Sequence, residues 1–177
     1  MGLDDRIGNR FLNAGIGFAG SCLPKDIKAL IARAEQIGYE PRLLKEVLRT
    51  NERQALKIIE LLRKHISIKD TCIGLLGLSY KPMTNDANNL LAIGVASTLL
   101  REGARLRAYE PQAMPNFNRV FPQIEYATPG EVLKCDAILI LTEWEEFERL
   151  DYRGKIIIDG RSVLKAREAL IYEEVCW

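Results

Sequence analysis

Residues 71–78 read TCIGLLGL, a short apolar run that contains two glycines. Three further runs of the same kind follow along the chain, RLRAYE, CDAILILT and KIIIDG. Runs this short and this apolar are typical of strands buried on both faces. The segments between them are helical in spacing, with LLAIGVASTLLREG the clearest and shorter ones near Pro129 and Trp144. This alternation predicts an α/β fold, a Rossmann-like parallel sheet with helices on both faces.

Before residue 66 the apolar residues recur at helical spacing and not in short continuous runs. Residues 24–38, PKDIKALIARAEQIG, carry an apolar stripe at helical spacing, with proline near the start and glycine at the end. Residues 41–65, PRLLKEVLRTNERQALKIIELLRKH, carry a longer stripe. Its members are Leu44, Val47, Leu48, Ala55, Ile58, Ile59 and Leu62. Asn51 interrupts the stripe, and we interpret it as a polar residue that fixes helix register. A helix this long in a small chain predicts either a homodimer through it or a span between two domains.

Composition narrows the class of protein. With 177 residues, 47% of them hydrophobic, the chain can bury a sizeable core. Lys and Arg number 25 against 24 for Asp and Glu, so no net charge attracts nucleic acid or an anionic membrane. No apolar run approaches the ~20 residues of a membrane helix, and no secretory signal is present at the start, so a cytoplasmic protein is expected. Cys22, Cys72, Cys135 and Cys176 are widely spaced, and we expect free thiols.

Residues 15–26, GIGFAGSCLPKD, place a cysteine just before a predicted helix. Because Pro24 lies in the first turn, Cys22 should lie near free backbone amides and the positive end of the helix dipole, which favour a thiolate. Lys25 adds a positive charge, and the small residues of the loop allow a ligand to approach the backbone. A structural cysteine in a tight turn is the alternative interpretation.

Ligands of parallel sheets bind beyond the carboxyl ends of the strands. In this chain the predicted ends read GLSYKPMTND, YEPQ, LTEWEEF and DGRS, and each is polar, charged or rich in Gly and Pro. The first of them is not a dinucleotide fingerprint, because Gly74 and Gly77 lack the third glycine and the required spacing. The sequence therefore gives little support for NAD binding by this sheet.

Four stretches, in order, resemble the nucleotide-sugar dehydrogenases that oxidise UDP-glucose or GDP-mannose to the uronic acid. Residues 6–26, RIGNRFLNAGIGFAGSCLPKD, resemble the catalytic-cysteine segment, and residues 77–86 resemble a GLAFKPxTDD segment. TEWEEF and IIIDGRSVL resemble two motifs that occur later in sequences of the family. The resemblance implies the C-terminal portion of a UDP-glucose 6-dehydrogenase, with GDP-mannose as an alternative substrate. A non-catalytic nucleotide-sugar-binding or dimerisation module is the other alternative.

The resemblance also implies a domain organisation. Residues 1–65 would hold the catalytic-cysteine loop and the central dimerisation helices, and residues 66–177 would form the UDP-sugar-binding domain. The family's NAD-binding domain would precede Met1, so NAD would be bound mainly outside this chain. The chain alone is therefore expected to be inactive.

Individual roles follow from the same resemblance. Cys22 would add to the aldehyde intermediate, Asp26 would assist hydrolysis of a thioester, and Lys25 would stabilise negative charge. Asn88 stands where the family has an arginine directed toward NAD, so a charge-assisted contact is replaced there. The positions implied to bind the nucleotide sugar are Arg6 (toward the partner subunit), Phe11, Leu12, Asn13, Gly15, Phe18, Ala19, Tyr80, Lys81 and Arg161.

Overall fold

The structure is a computed structural model that describes residues 3–8, 15–84 and 90–175. Two helices come first, α1 (Leu23–Gln36) and α2 (Arg42–Leu62). The remaining elements, in chain order, are β1 (Cys72–Leu76), α3 (Leu90–Arg101), β2 (Arg105–Tyr109), α4 (Met114–Val120), β3 (Glu125–Tyr126), α5 (Pro129–Val132), β4 (Ala137–Ile140), a 3₁₀ helix (Glu145–Arg149), β5 (Ile156–Asp159), a second 3₁₀ helix (Leu164–Glu168) and β6 (Ile171–Glu174).

The six strands of the described chain form one parallel sheet in the order β3-β2-β1-β4-β5-β6. Strand β1 lies at the centre, where Ile73 is level with Leu106 of β2 and with Ala137 of β4. The direction in which successive strands are added reverses between β1 and β4. In an open parallel sheet a crevice forms at such a reversal, beyond the carboxyl ends of the strands.

Alternate strand residues point into two separate apolar layers. Ile73 and Leu75 of β1 belong to a core that includes α2, α3 and α4. Leu76 of β1 belongs to a second core on the opposite face, with Phe147 and Tyr152. Burial on both faces explains why these strands are continuous apolar runs, and the predicted Rossmann-like sheet with helices on both faces is confirmed.

The apolar stripe of α2 is partly covered within the chain itself. Its C-terminal half is buried against the sheet and α3, through Ala55, Ile58, Ile59 and Leu62. Its N-terminal half lies beside α1 and is only half-buried. Helix α1 has no buried residue, and its apolar side chains Leu23 and Leu30 are exposed. Apolar surface therefore remains on α1 and the first half of α2.

Several elements differ from the sequence prediction. Strands β3 and β6 and helix α4 were not predicted, and the segment near Trp144 is a 3₁₀ helix. The sequences of β3 and β6, EY and IYEE, lack an apolar run, because both strands lie at the edges of the sheet. Among the described helices, none combines the length and the apolar character that a membrane crossing requires.

Candidate functional site at the carboxyl edge of the sheet

The loop of residues 15–22 crosses the carboxyl ends of β1 and β5. Ile16 is fully buried in the main core and anchors this loop. Gly15 is held against Arg161, since a Cβ added to Gly15 would lie 2.7 Å from a guanidinium nitrogen. The loop therefore has a defined place on the sheet.

Helix α2 binds the same loop through Asn51. The N–H of Phe18 donates to Asn51 Oδ1 at 2.7 Å, and Asn51 Nδ2 donates to the carbonyl of Phe18 at 2.8 Å. Gln54, one turn later, donates to the carbonyl of Gly15 at 3.4 Å. Within the described residues the bonds of Asn51 go to the loop and not to another helix, which differs from the register-fixing role inferred from the sequence.

Arg161 links the loops that follow three strands. Its Nε donates to the carbonyl of Leu141 at 3.0 Å, and a terminal nitrogen donates to the carbonyl of Tyr80 at 3.3 Å. Its Nε also lies 3.2 Å from a carboxylate oxygen of Glu143. Together with the contact to Gly15, these bonds bring three of the predicted binding residues into one cluster.

Tyr80 extends this cluster toward Cys22. A Cβ added to Gly20 would lie 3.1 Å from Cε2 of the Tyr80 ring, so the ring packs directly on the loop two residues before Cys22. The ammonium group of Lys81 lies 5.4 Å from the centre of the same ring, within the range of a cation–π contact. Because Lys81 is exposed, its charge faces solvent beside the cluster.

A buried carboxylate shapes the loop after β1. Glu110, directly after β2, accepts hydrogen bonds from the N–H of Leu78 at 2.6 Å and of Ser79 at 3.3 Å. The hydroxyl of Ser79 donates to the same carboxyl group at 3.1 Å. Burial raises the pKa of Glu110, and the hydrogen bonds oppose this rise.

A second buried carboxylate, Asp159 at the end of β5, shapes the loop that follows this strand. It accepts hydrogen bonds from the N–H groups of Arg161 and Val163, both at 2.7 Å, and from the hydroxyl of Tyr172 at 3.1 Å. Burial raises the pKa of Asp159 to about 6, although these bonds favour its charged form. Asp159 thereby orients the backbone from which Arg161 extends.

The amides at the start of the loop after β1 are bound within the chain. These amides, which in dinucleotide-binding folds point at a pyrophosphate, are already bound by the carboxylate of Glu110. A Cβ on Gly77 would lie 2.5 Å from the backbone nitrogen of Thr142, so this glycine serves close packing between β1 and β4. Within the described ranges, no three His, Cys, Asp or Glu side chains are grouped in a way that could hold a metal ion.

Cys22 occupies the N-cap of α1 and is exposed. The N–H of Asp26 donates to the carbonyl of Cys22 at 2.9 Å, so the two residues lie one helical turn apart on the same side. Lys25 lies beside them, with its ammonium group 3.8 Å from the carboxylate of Asp26. The three predicted catalytic residues thus meet at one exposed helix end.

The remaining predicted residues lie elsewhere. Phe18 and Ala19 line an apolar cavity of about 430 Å³ between the loop, α2 and α3. Arg6 is exposed, and its guanidinium is paired with Asp4 at 2.7 Å. Phe11, Leu12, Asn13 and Asn88 lie outside the described residues.

Sequence reasoning did not identify Glu110 and Asp159 as organisers of the site. The signal was available, since each is an acidic residue that directly follows or ends an apolar strand in YEPQ and DGRS. The amides that each carboxylate would bind depend on loop paths, which the strand pattern does not contain.

Two parts of the chain match the models of one known protein family. Residues 1–53 match the central domain of the UDP-glucose/GDP-mannose dehydrogenase family, and residues 74–166 match its UDP binding domain. UDP-glucose 6-dehydrogenase AglM of Haloferax volcanii is 41% identical over 182 residues, 99% of this chain and 42% of that protein. A solved UDP-glucose dehydrogenase from the hyperthermophilic archaeon Pyrobaculum islandicum has a TM-score of 0.94 and 42% identity, over 99% of this chain and 42% of its own.

A solved GDP-mannose dehydrogenase from Pseudomonas aeruginosa has a TM-score of 0.83 and 27% identity, over 95% of this chain and 42% of its own. The chain thus spans about two fifths of the length of these relatives. Two family domains match in order, and their structural counterparts superpose over nearly the whole chain, so the chain belongs to the UDP-glucose/GDP-mannose dehydrogenase family.

Proposed function

We propose that this chain is the catalytic-cysteine and UDP-sugar-binding part of an NAD-dependent UDP-glucose 6-dehydrogenase. Residues 1–65 supply the cysteine loop and central helices, and residues 66–177 form the UDP-sugar-binding domain. The observation that carries the proposal is the packing of the loop of residues 15–22 on the Tyr80–Arg161 cluster. This packing puts Cys22 beside the strand ends where a ligand of such a sheet binds.

The nucleotide sugar is proposed to lie along the carboxyl edge of the sheet. Lys81 offers an exposed cation for the diphosphate or the sugar. The guanidinium of Arg161 is oriented by hydrogen bonds to the carbonyls of Leu141 and Tyr80, and part of it is proposed to contact the ligand. Phe18 and Ala19, which line the cavity between the loop, α2 and α3, are proposed to approach the nucleotide from that side. Gly15 and residues 11–13 are proposed to surround the uracil and ribose. Glu110 and Asp159 act indirectly, because they hold the loops that carry these groups.

The chemistry assigned to this chain takes place at Cys22. Its thiolate adds to the carbonyl carbon of the sugar aldehyde, which forms a C–S bond and leaves a thiohemiacetal after the oxygen gains a proton. After oxidation to the thioester, water adds to the thioester carbon, the C–S bond breaks and the thiolate is restored. Asp26, one turn along α1, accepts the proton of that water, and Lys25 stabilises the developing oxyanion.

The oxidant is NAD, which we propose is bound mainly by an N-terminal domain or polypeptide outside this chain. The amides after β1 are bound by Glu110, which supports this assignment. Cys22, Lys25 and Asp26 are exposed, as expected for a site that another domain completes. A homodimer through α2 is proposed as well, in which Arg6 reaches the nucleotide of the partner subunit.

Calorimetric titration of the chain with UDP, UDP-glucose, GDP-mannose and NAD tests the proposal. We expect binding of UDP and UDP-glucose without measurable NAD binding. Lys81→Ala should weaken UDP binding, whereas Lys57→Ala, at an exposed position on α2, should leave it unchanged. Preference for GDP and GDP-mannose would move the assignment to GDP-mannose 6-dehydrogenase, and NAD binding without UDP binding would contradict the proposal.

Activity separates an enzyme part from a binding module. Addition of an NAD-binding domain from a UDP-glucose dehydrogenase, fused before Met1, should produce NADH from UDP-glucose, and Cys22→Ser in that fusion should abolish the complete oxidation. A fusion that binds UDP-glucose and dimerises but produces no NADH would favour the non-catalytic module. Sedimentation of the chain alone measures the proposed dimer directly.

A further inference from the structure

Two cysteines outside the proposed active site lie side by side. The sulfur atoms of Cys72 and Cys135 are 2.6 Å apart, although 63 positions separate the residues in sequence. Cys72 is the first residue of β1, and Cys135 lies in the turn that leads into β4. Both are at the amino ends of the strands, whereas Tyr80 and Arg161 lie at the carboxyl ends. This pair is therefore distinct from the nucleotide-sugar site.

The backbone holds the two cysteines in place. The N–H of Asp136 donates to the carbonyl of Cys72 at 2.9 Å, and the carboxylate of Asp136 accepts the N–H of Cys72 at 2.9 Å. The register of β1 and β4 continues directly from this point, with Ile73 level with Ala137. Cys135 is thus fixed beside Cys72 by the central strand pair of the sheet. Since a disulfide bond is about 2.05 Å long, little movement separates the two sulfurs from a covalent bond.

The two thiols differ in their surroundings. Cys135 is buried, while Cys72 is partly exposed. Burial raises the pKa of the Cys135 thiol, and the neighbouring Cys72 raises it further. The guanidinium of Arg107 lies close enough to interact with both cysteines, and it opposes part of the rise in the pKa of Cys135. Cys72 is consequently the thiol that an external reagent reaches first.

A metal site is a poorer match for this pair. A structural zinc site needs four ligands, and no group of three metal-binding side chains exists among the residues that the structure describes. Asp136 is adjacent, but its carboxylate is used by the N–H of Cys72. Two sulfur atoms in contact, with no third metal ligand beside them among the described residues, match a disulfide better than a metal site.

We propose that Cys72 and Cys135 form a reversible disulfide that joins β1 to β4, made by exchange with a small-molecule disulfide such as oxidised glutathione. The thiolate of Cys72 attacks one sulfur of the reagent, which gives a mixed disulfide and releases one thiol. Cys135 then attacks the Cys72 sulfur, loses its proton and releases the second thiol. Two protein thiols are oxidised to one disulfide, and one reagent disulfide is reduced to two thiols.

Peptide mapping of the 177-residue chain tests this proposal. The protein is incubated with oxidised glutathione, denatured, alkylated and digested with trypsin without reduction. We expect peptide 135–149 linked to peptide 70–101, with a mass lower than the sum of the two by two hydrogen atoms. Cys22, in peptide 11–25, should remain unlinked. Complete alkylation of both Cys72 and Cys135 would overturn the proposal, as would stable glutathione on Cys72 without a linked peptide.

Stability gives a second readout that needs no assumption about the nucleotide site. Closure of a loop of this length should raise the melting temperature of the oxidised chain by about 10 °C over the reduced chain. In the double variant Cys72→Ala/Cys135→Ala this difference should vanish, while Cys22→Ala should keep it. UDP binding should be the same in oxidised and reduced protein. A wild-type melting temperature that does not respond to glutathione redox state would count against a bond between the two strands.

Discussion

Gly160 lies directly against Ile16, so that a side chain on residue 160 would occupy the space of the isoleucine. Gly160 follows β5, and Ile16 belongs to the loop that leads to Cys22. A Cβ at this glycine would also lie 2.9 Å from the carbonyl oxygen of Ile140. The absence of a side chain therefore lets the cysteine loop pack on the sheet.

Gly160→Ala should destabilise the chain by about 1–3 kcal/mol, because the extra methyl group overpacks this contact. It should also weaken UDP binding, since the loop must move away from Arg161. Urea unfolding and calorimetry measure the two effects.

The matched control is Gly94→Ala, in the interior of α3. Outside the neighbouring backbone of α3, no atom lies within 4 Å of a Cβ at Gly94, and alanine is the better helix former, so a gain of about 0.5–1 kcal/mol is expected. Equal stability of the two alanine variants would show that the Ile16 contact does not restrict residue 160.

Asn51→Leu should release the loop from α2. The variant removes both hydrogen bonds to Phe18 and leaves a partly buried N–H and carbonyl without their partner, at a cost of about 2–3 kcal/mol. The amide of Phe18 should then exchange with deuterium much faster. Hydrogen exchange followed at this amide gives the measurement. Asn51→Asp, which keeps an acceptor for the N–H, should protect the amide better than leucine does. An unchanged exchange rate of the Phe18 amide in Asn51→Leu would contradict the conclusion that Asn51 holds the loop against α2.

Asp159 should make the chain less stable as the pH rises from about 4 to about 6. The pKa of Asp159 in the folded chain is about 6, above its ordinary value of 3.8, because burial disfavours the charge. The folded state therefore holds the proton more tightly than the unfolded state, and the stability from this group is lost as the pH passes the folded pKa. The contribution of Asp159 to the free energy of unfolding at low pH is of the order of 2 kcal/mol. Urea unfolding at pH 4 and pH 7 measures the total dependence.

The variant Asp159→Asn separates the pH dependence of stability that comes from Asp159 from that of other titrating groups. Glu110 is one of these groups, because burial raises its pKa as well. The asparagine cannot ionise, so the difference in unfolding free energy between wild type and variant should change between pH 4 and pH 7. Asp151→Asn, at an exposed carboxyl group, should not show a change of the same sign. A constant difference for Asp159→Asn would mean that the buried carboxyl keeps an ordinary pKa.

The sheet was predictable because burial on both faces forces its central strands to be continuous apolar runs, as in residues 71–78. The edge strands were not, because β6 reads IYEE and is a strand only by pairing with β5. For α2 the stripe indicated a buried face, but a stripe does not say what covers it. In the structure the sheet and α3 cover Ile58 and Ile59.

The candidate site was predictable in part. The cysteine at a helix start and the charged strand ends were visible as local patterns. The structure places Tyr80 and Arg161, which follow two different strands, beside each other, and Gly15 of the preceding loop lies against Arg161. The contact of Cys72 with Cys135 was not predictable, because the strand order, and not sequence spacing, makes β1 and β4 neighbours. Cys72 and Cys135 were therefore expected to be separate free thiols.

Cys22 should react with iodoacetamide at neutral pH faster than Cys72 or Cys135. It is exposed at the N-cap of α1, whereas Cys135 is buried and Cys72 lies against it. Site-resolved mass spectrometry of reduced protein measures the three rates. UDP-glucose should slow only the Cys22 reaction, because the sugar is proposed to lie against this sulfur. If UDP-glucose binds but leaves the Cys22 rate unchanged, the cysteine is a structural residue of the turn and the binding-module function is preferred.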